Sequence, residues 1–389
     1  MEAVYQKNIS STIDSDIVMK RSFAEFFAGI GLMRLGLEAA GWKIAFANDI
    51  SEDKFEMYDT HFHDAEKHFV LSDIHRLPPD RIPSVTLATA SFPCTDLSLA
   101  GMRTGLGGKQ SSAYWGFVNL LEQLEERRPP IVLLENVVGF LTSHKGNDFL
   151  MALRALNQLG YAVDAFIVDA ERFVPQSRVR LFVVGKQSPA TMIRDTPGFY
   201  ESKLRPKALA DFILAHPQIS WDLRELPEPP QRSIVFENML ETLRDDADYW
   251  WSRDRVEYLL SQMSPKHRNE LEAMKKGRSW SYATAFRRVR NGKSMAELRT
   301  DGVAGCLRTP KGGSARQILI QTGYDKVKVR LLLPIECARL MGADGYKIAT
   351  TQSKALFGFG DAVCVPVVSW IAENYLNPLV DEILLSAYN

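Results

Sequence analysis

The stretch Ser22-Phe23-Ala24-Glu25-Phe26-Phe27-Ala28-Gly29-Ile30-Gly31, which runs on to Ala40, decides the fold of this chain. Its first six residues are largely apolar and predict a buried strand, and its two glycines predict a tight turn. Apolar residues at helical spacing follow, and Gly41 stands where a glycine commonly ends a helix. A strand, a glycine turn and a helix in this order predict the first unit of an open α/β sheet, whose helix amides point toward a ligand at the turn.

The next two units each end in an acidic residue. Lys43 to Ala47 predicts a second strand that ends at Asn48-Asp49, and Asp73-Ile74 ends a weaker third unit. An acid after the second strand is well placed for ribose hydroxyls, whereas Gly29 to Arg34 lacks the third glycine of the dinucleotide pattern. The sequence therefore favours a nucleotide-like cofactor over a dinucleotide. Two plainer interpretations stay open, in which the glycines only serve the turn and the two aspartates only cap helices.

A lone cysteine follows the fourth predicted strand. The apolar run Val85 to Ala90 ends at the corner Phe92-Pro93-Cys94, and a glycine-rich segment, Gly101 to Lys109, lies beyond it. A buried strand that delivers a cysteine to the mouth of such a loop is suited to presenting a nucleophile. The alternative is a structural cysteine at a strand end, because unpaired cysteine is among the most buried residue types.

A glutamate and two arginines mark the following strands. Glu135 follows the buried run Ile131 to Leu134, and ligand sites of open α/β sheets gather at the carboxyl ends of strands, so Cys94 and Glu135 are expected to share one crevice. Arg178 and Arg180 would lie on one face of an extended segment. Two arginines facing the core would be costly, so we expect solvent or an anion to meet them. A surface acid and a surface salt bridge are the alternatives.

Length and composition restrict the class of protein. A chain of 389 residues can form two domains, or one large domain with an insertion. Its four cysteines show no CxxC pairing, which argues against a zinc site and a disulfide framework and fits a reducing cytoplasm. No continuous apolar run reaches the ~18 residues that a membrane span needs. The polar start of the chain, residues 1–20, does not match a secretory signal.

The zero formal net charge hides an uneven distribution. Residues 265–330 carry 16 Lys and Arg against five Asp and Glu, which predicts a polyanion-binding face on an otherwise acidic protein, or else a solvated basic surface. From about Gln187 to Ile320 the alternation of strands and helices breaks down, which predicts a separate, irregular domain. Helix-like segments return at Leu333 to Met341 and at Asp361 to Tyr375. The basic residues that we expect to contact a polyanion are Arg287, Arg288, Arg290, Arg308 and Lys311.

Together these motifs resemble those of the DNA (cytosine-5) methyltransferases, in particular the bacterial restriction–modification type. The similar blocks are Phe27 to Gly31, Phe92 to Cys94, Glu135 to Val137, Gln176 to Arg180, Arg330 to Gly342 and Gly360 to Val363. The resemblance implies an α/β fold, namely a Rossmann-like S-adenosylmethionine-dependent methyltransferase sheet with a smaller, irregular target-recognition domain. The implied parts are an N-terminal extension (1–20), a catalytic and cofactor-binding domain (21–187), a target-recognition domain (188–325) and a return to the catalytic domain (326–389). Two positions depart from the family, since Leu32 stands where many members have glycine and Asp361 where asparagine is usual.

The resemblance also implies a chemistry for the site. Cytosine C5 becomes nucleophilic after a thiolate adds to C6, and the family pattern gives that thiolate to Cys94 and the proton for N3 to Glu135. Arg180 would hold O2 of the base, and Arg178 would position the acid or a phosphate. The implied cofactor is S-adenosyl-L-methionine. Its implied contacts are Phe27, Ala28, Gly29, Ile30, Gly31, Asp49, Ile50, Asp73, Ile74, Pro93, Asp361, Ala362 and Val363.

The implied substrate is a cytosine flipped out of double-stranded DNA, with Gly101 to Lys109 closing over it. Such a protein works in the bacterial cytoplasm, on the DNA of the nucleoid, and protects that DNA beside a restriction endonuclease for the same site. The sequence leaves open whether that endonuclease exists, which DNA site is methylated, which group removes the C5 proton and the oligomeric state. Three alternatives remain, which are a tRNA cytosine-5 methyltransferase, a catalytically silent DNA-binding protein of the same fold and, least favoured, a nicotinamide oxidoreductase.

Overall fold

The computed structural model describes residues 21–93, 113–187, 201–290, 292–309 and 316–387. The larger sheet within these residues has seven strands. They are β1 (Ser22–Phe26), β2 (Lys43–Asp49), β3 (Phe69–Leu71), β4 (Leu87–Ala90), β5 (Ile131–Val137), β6 (Tyr161–Asp169) and β7 (Val179–Gln187). Their order in space is β3-β2-β1-β4-β5-β7-β6. The predicted α/β class is therefore confirmed, with the chain leaving the centre of the sheet at β1 and returning beside it at β4.

Strand direction brings the predicted site residues to one edge. Each neighbouring pair from β3 to β5 is parallel, whereas β7 is antiparallel to both β5 and β6. The carboxyl ends of β1 to β5 and the start of β7 consequently lie along the same edge of the sheet. The strands are near-continuous apolar runs, as in the fully buried Ile131 to Leu134, because helices cover both faces of the sheet.

The helices between and after these strands pack on opposite faces of the sheet. They are α1 (Leu32–Ala39), α2 (Glu52–Phe62), α3 (Ala113–Gln123), the short α4 (Gly139–Thr142), α5 (Asn147–Gln158) and α6 (Lys207–Ala215). One face is covered by α3, α5 and α6, whose buried residues include Phe117, Leu153 and Ile213. The other face receives α1 and helices from the end of the chain.

A second sheet follows in the chain. It contains β8 (Ser281–Arg290), β9 (Lys293–Arg299), β10 (Ile318–Gly323) and β11 (Lys326–Leu331), all antiparallel in the order β11-β10-β8-β9, and is preceded by α7 (Arg253–Ser261) and α8 (Pro265–Lys275). The loss of strand–helix alternation from about Gln187 did not indicate these helices or this sheet. The apolar pattern of the two helices is weak because α7 buries only Leu259 and α8 only Leu271. The boundary predicted at residue 325 falls inside the turn that joins β10 to β11.

The last helices pack against the larger sheet. They are α9 (Pro334–Leu340), α10 (Gln352–Asp361), α11 (Val365–Ile371) and α12 (Asn377–Ala387), with a π-helical turn, Ala372–Leu376, before α12. The prediction of a helix starting at Asp361 was wrong, since Asp361 ends α10 and α11 begins at Val365, with Pro366 in its first turn. The helical run Gln352–Leu385 is long and apolar enough to cross a membrane, but 61% of its most apolar window is buried inside the protein, as in the core helix of a soluble protein.

One buried ion pair connects the second sheet to α9. Arg330 at the end of β11 donates to both carboxylate oxygens of Glu336 in α9, at 2.6 and 2.5 Å. Their side chains are 1% and 0% exposed. The same carboxylate accepts hydrogen bonds from the backbone amides of Leu333 and Glu241. These bonds compensate the free-energy cost of burying its charge.

Candidate active site

The turn after β1 has three residues with left-handed backbone. The φ angles of Phe27, Gly29 and Gly31 are 58°, 57° and 79°. A β-carbon on Gly31 would lie 2.4 Å from Cε2 of Phe62, so only glycine fits there. Phe27 carries a bulky side chain in this conformation, which costs about 1–3 kcal/mol and is typical of ligand-binding turns.

Asp49 at the end of β2 binds this turn directly. Its Oδ2 accepts a hydrogen bond of 2.8 Å from the Gly29 amide, and its Oδ1 accepts one of 2.9 Å from the Ser51 amide. Asp49 is not a helix cap, because Ser51 is the N-cap of α2. Ala28 and Ile30 are buried, so at these two positions the turn presents its backbone rather than its side chains to a ligand.

Asp73 and Ile74 follow β3 on the same edge. Asp73 does cap a short helical turn, because its carboxylate accepts the His75 amide at 3.0 Å, and Ile74 is buried beneath it. The unusual residue here is Ile50, which directly follows Asp49 and is 67% exposed. An exposed isoleucine beside a carboxylate is a suitable surface for a flat apolar ring with an attached ribose, so these residues fit an adenosine group.

The described chain reaches Pro93, the residue before the predicted nucleophile. Cys94 itself and the predicted loop Gly101 to Lys109 lie outside the described residues. Phe92 is buried, and its carbonyl accepts a hydrogen bond of 3.0 Å from Nδ2 of Asn136 at the end of β5. This bond fastens the ends of β4 and β5 together, so the segment that leads into Cys94 starts next to β5.

Glu135 and Arg180 form an ion pair at this edge. The distance from Arg180 Nε to Glu135 Oε1 is 2.9 Å, and the side chains are 16% and 7% exposed. The two meet because β7 begins where the antiparallel β5 ends, with Arg180 opposite Val137. Burial lowers the pKa of Arg180, but the Glu135 carboxylate and the Cys306 thiol outweigh it and raise that pKa overall.

Arg178 has a different environment from the one predicted. It is 3% exposed and is met by backbone carbonyls rather than by solvent or an anion. Its guanidinium donates to the carbonyls of Leu307 at 2.8 Å, Gly360 at 3.2 Å and Ala362. Burial, and then the charge of Arg180, lower the pKa of Arg178. Arg178 therefore joins three segments that are distant in the chain and fixes the turn that follows α10.

A second thiol lies against both arginines. Cys306 Sγ is 3.4 Å from Nη1 of Arg178 and 3.9 Å from Nη2 of Arg180. Burial raises the pKa of the Cys306 thiol, but the charges of Arg178, Arg180 and Arg308 outweigh burial and lower it overall. Sequence reasoning missed this position, because Cys306 lies well over a hundred residues from both arginines and belongs to no quoted motif.

The remaining predicted cofactor residues lie where α10 ends. Asp361 forms an ion pair of 2.9 Å with Lys54 of α2. Lys54 Cδ lies 3.9 Å from the position of a β-carbon on Gly29, so the pair borders the turn after β1. Ala362 is half-buried and Val363 is in the core, so their side chains support this region by packing. Lys54 was missed because nothing distinguishes it from other charged residues of an amphipathic helix.

The basic residues predicted to contact a polyanion differ in their surroundings. Arg288 and Arg290 both lie near Glu297, with nitrogen–oxygen distances of 4.0 and 2.6 Å, so their charge is partly neutralised. Arg308 follows the Cys306-Leu307 segment and lies close enough to influence the Cys306 thiol. Lys311 lies outside the described residues.

The predicted Arg287 of β8 belongs to a cluster with two arginines that were not predicted, Arg255 of α7 and Arg316, which precedes β10. Arg255 Cζ lies 3.9 Å from the centre of the Trp251 ring, and Arg287 lies 5.9 Å from that ring and 5.8 Å from Tyr258. Burial, and then the charges of Arg287 and Arg316, lower the pKa of Arg255. No carboxylate of the described residues lies within 4.0 Å of these three guanidiniums. Sequence reasoning named only Arg287, because nothing in the sequence places Arg255, which lies in α7, or Arg316 beside β8.

Cysteines and acidic residues give no sign of a metal centre. Within the five described ranges, no group of three or more His, Cys, Asp or Glu side chains is arranged to hold a metal ion. The thiols of Cys306, Cys337 and Cys364 are not in disulfides.

Comparison with known proteins identifies the family of this arrangement. A sequence model described as C-5 cytosine-specific DNA methylase matches residues 21–377. The chain is 28% identical to Type II methyltransferase M.DsaV of Dactylococcopsis salina, over 91% of this chain and 86% of that protein. It is 27% identical to Type II methyltransferase M.HhaI of Haemophilus parahaemolyticus, over 90% of this chain and 93% of that protein.

Solved structures agree in fold. The Dnmt2 methyltransferase of S. pombe superposes with a TM-score of 0.61 at 18% identity, covering 92% of this chain and 99% of that one. The Entamoeba histolytica methyltransferase EhMeth superposes with a TM-score of 0.60 at 14% identity, covering 92% and 98%. At such low identity these likenesses establish the fold alone, and it is the fold predicted from the sequence.

Proposed function

The chain belongs to the C-5 cytosine-specific DNA methylase family and is a DNA (cytosine-5) methyltransferase, and on that premise we propose that it methylates a cytosine flipped out of a specific duplex DNA sequence. The methyl donor we propose is S-adenosyl-L-methionine. The observation that carries the proposal is the buried Glu135–Arg180 pair, 2.9 Å apart, at the sheet edge where Pro93 leads into Cys94.

The proposed reaction begins with Cys94. Its thiolate adds to C6 of the flipped cytosine, the C5–C6 double bond opens, and the electron pair moves toward C5 and the ring. Glu135 supplies a proton at N3, which neutralises the charge that addition leaves on the ring. Arg180 engages Oε1 of Glu135 and directs its remaining donors to O2 of the base. C5 would then take the methyl group that the donor's sulfonium supplies, with the broken carbon–sulfur bond leaving its electron pair on a neutral thioether. Loss of the C5 proton to a base, for which we propose water, restores the C5–C6 double bond and expels the Cys94 thiolate.

Arg178 has a positioning role in this scheme. Its hydrogen bonds to the carbonyls of Gly360 and Ala362 hold the end of α10 against β7, the strand that carries Arg180. Its hydrogen bond to the Leu307 carbonyl holds the segment that contains Cys306 against the same strand. The reaction needs the methyl carbon held about 3–3.5 Å from C5. Rigid attachment of these segments favours that distance.

We assign the cofactor to the edge formed by β1, β2 and β3. S-adenosyl-L-methionine supplies an electrophilic methyl group on a sulfonium. The turn Phe27 to Gly31 would receive its methionine portion through backbone groups, and Asp49 would bind the ribose through lone pairs not used by Gly29 and Ser51. Ile50 would cover one face of the adenine.

The proposed substrate is duplex DNA, bound through basic residues on and beside the second sheet. A cytosine stacked inside a duplex is out of reach of an enzyme's nucleophile, so it must be extruded. The cluster of Arg255, Arg287 and Arg316 is suited to phosphates because these guanidiniums lack carboxylate partners among the described residues. We further propose that the protein works in the bacterial cytoplasm and protects nucleoid DNA beside a restriction endonuclease for the same site.

Bisulfite sequencing of plasmid DNA from cells expressing the chain tests the activity and reveals the target. We expect one short sequence to be protected from conversion, and no protection with Cys94→Ser. Purified protein should also form a covalent complex with duplex DNA that carries 5-fluorocytosine at the target, because the C5 proton is replaced by a fluorine that no base removes. Methylation of tRNA but not of duplex DNA, or no covalent complex with the unmutated protein, would overturn the proposal.

A further inference from the structure

The thiol of Cys306 lies against two arginines of the proposed active site and takes no part in the proposed reaction. We propose that Cys306 is a positioning residue for methyl transfer, because its neutral sulfur holds Arg180 beside Glu135 at the edge of the sheet. The inference rests on the proposed function of Glu135 and Arg180 and adds one residue that acts through them.

The sulfur of Cys306 is a shared acceptor. It lies 3.4 Å from Nη1 of Arg178 and 3.9 Å from Nη2 of Arg180. The thiol itself donates to the Leu307 carbonyl at 3.3 Å, so the lone pairs of the sulfur remain for the two guanidiniums. One side chain therefore contacts both arginines without competing with them for the Glu135 carboxylate.

The backbone that carries Cys306 is fixed to the loop before β7. The Ala304 amide donates to the Pro175 carbonyl at 2.9 Å, and the Ala304 carbonyl accepts the Ser177 amide at 3.0 Å. The Leu307 amide donates to Oε1 of the buried Gln176 at 3.0 Å. Because Cys306 lies between these attachments, its sulfur has a defined position relative to the start of β7.

The charges at this edge explain why an acceptor is needed. Among the residues that the structure describes, Arg180 has Glu135 within 4.0 Å, whereas Arg178 has no carboxylate at that distance. Three backbone carbonyls bind Arg178 and hold it in place. Repulsion between the two guanidiniums therefore displaces Arg180 unless an acceptor contacts both. Loss of the sulfur is expected to turn Arg180 away from Glu135.

The surroundings of the thiol favour its deprotonation. Burial raises the pKa of Cys306, but the charges of Arg178, Arg180 and Arg308 outweigh burial and lower that pKa overall. The Cys306 thiol therefore ionises at a lower pH than an ordinary cysteine side chain.

Ionisation of the thiol is expected to slow methyl transfer. A thiolate would draw Nη2 of Arg180 to itself and cancel part of the positive charge that the base needs at O2. Glu135 and Cys364, whose pKa burial raises, lie near the same arginines. Both are also present in a Cys306 variant, so a comparison of two proteins at each pH isolates the Cys306 thiol.

Single-turnover methylation of plasmid DNA with labelled S-adenosyl-L-methionine tests this role. We expect Cys306→Ala to lower the rate constant at saturating DNA by about tenfold, because an acceptor for a charged group is lost, and to change the half-saturating concentrations of DNA and donor by less than about twofold. Cys306→Ser keeps an acceptor, so its rate at neutral pH should stay within about threefold of that of the unmutated protein. Cys337→Ala is the matched control, because it removes a buried core thiol of α9 and should leave the rate unchanged.

The pH dependence distinguishes this role from a purely structural one. The rate of Cys306→Ser, divided by that of the unmutated protein, should be constant below the pKa of the Cys306 thiol. Above that pKa the ratio should rise by up to about tenfold per pH unit, because serine does not ionise. The ratio is measured between about pH 6.5 and 9.5. A purely structural thiol predicts a constant ratio.

Three results would overturn the positioning role. They are a Cys306→Ala rate equal to that of the unmutated protein, an equal loss of rate in Cys337→Ala, and a constant ratio over the whole pH range. In each of them the unmutated protein still methylates DNA, so the proposed function stands, whereas unmutated protein without methylation would overturn both. Circular dichroism verifies that each variant is folded, and if Cys306→Ala is not, the pH dependence of Cys306→Ser decides alone.

Discussion

Replacing Arg255, Arg287 and Arg316 with glutamine removes three guanidiniums that have no carboxylate partner among the described residues. Each phosphate contact contributes a slope of roughly −0.9 to log K against log salt concentration, so three contacts contribute about −2.7. Between 50 and 200 mM salt, the unmutated protein should then lose about 40-fold more affinity for DNA than the triple variant. At the lower salt concentration the triple variant should bind more weakly.

Fluorescence anisotropy of a labelled duplex, titrated at four salt concentrations, measures both slopes. The double variant Arg288→Gln, Arg290→Gln is the control, because Glu297 already lies beside both of these side chains and fewer counterions are displaced there. We expect the double variant to change the slope by less than about 1. A triple variant with the slope of the unmutated protein, or a larger change in the control, would refute the assignment of this cluster to phosphates.

Three more predictions concern the folded chain. Arg330→Met should lower the free energy of unfolding, measured in urea, by about 3–5 kcal/mol, because it leaves the buried Glu336 carboxylate without its ion-pair partner. Replacing both residues with apolar ones should restore much of the lost stability. Burial raises the pKa of Glu25 well above its usual value, so folding favours its protonated form. Stability should therefore fall as pH rises above about 4.5, and Glu25→Gln should flatten this decline in melting temperature between pH 5 and 8. Gly31→Ala should melt several degrees lower than Gly292→Ala, because both glycines have left-handed backbone but only the first lacks room for a β-carbon.

The parts of the site that sequence predicted are those placed by strand order. Asp49 and Glu135 each end a recognisable apolar run, and parallel strands bring such ends together without further information. Arg180 meets Glu135 because β7 starts beside the end of β5. The positions of Asp49 and Glu135 follow from local pattern and topology. The Arg180–Glu135 ion pair was not predicted, because it depends on the antiparallel direction of β7.

The missed contacts depend on packing between distant segments. Arg178 bonds to Ala362 across 184 residues, and nothing in either segment predicts a buried arginine surrounded by carbonyls. Lys54 and Asp361 come from different helices that are adjacent only in the folded chain. The helices before the second sheet were missed for another reason, because α7 and α8 each bury a single residue and so show little periodicity. In β8 the buried residues are consecutive rather than alternating, so the strand pattern is weak as well.

The core beneath the large sheet is assembled from both ends of the chain. Phe23, Leu133 and Phe182 of the strands pack in one cluster with Val368 and Leu379 of the last helices. A ribosome makes the strands long before those helices, so the nascent sheet has one apolar face open to solvent until the final residues emerge. Shortening the gene at its 3′ end, or slowing translation there, should therefore favour aggregation over a smaller functional enzyme.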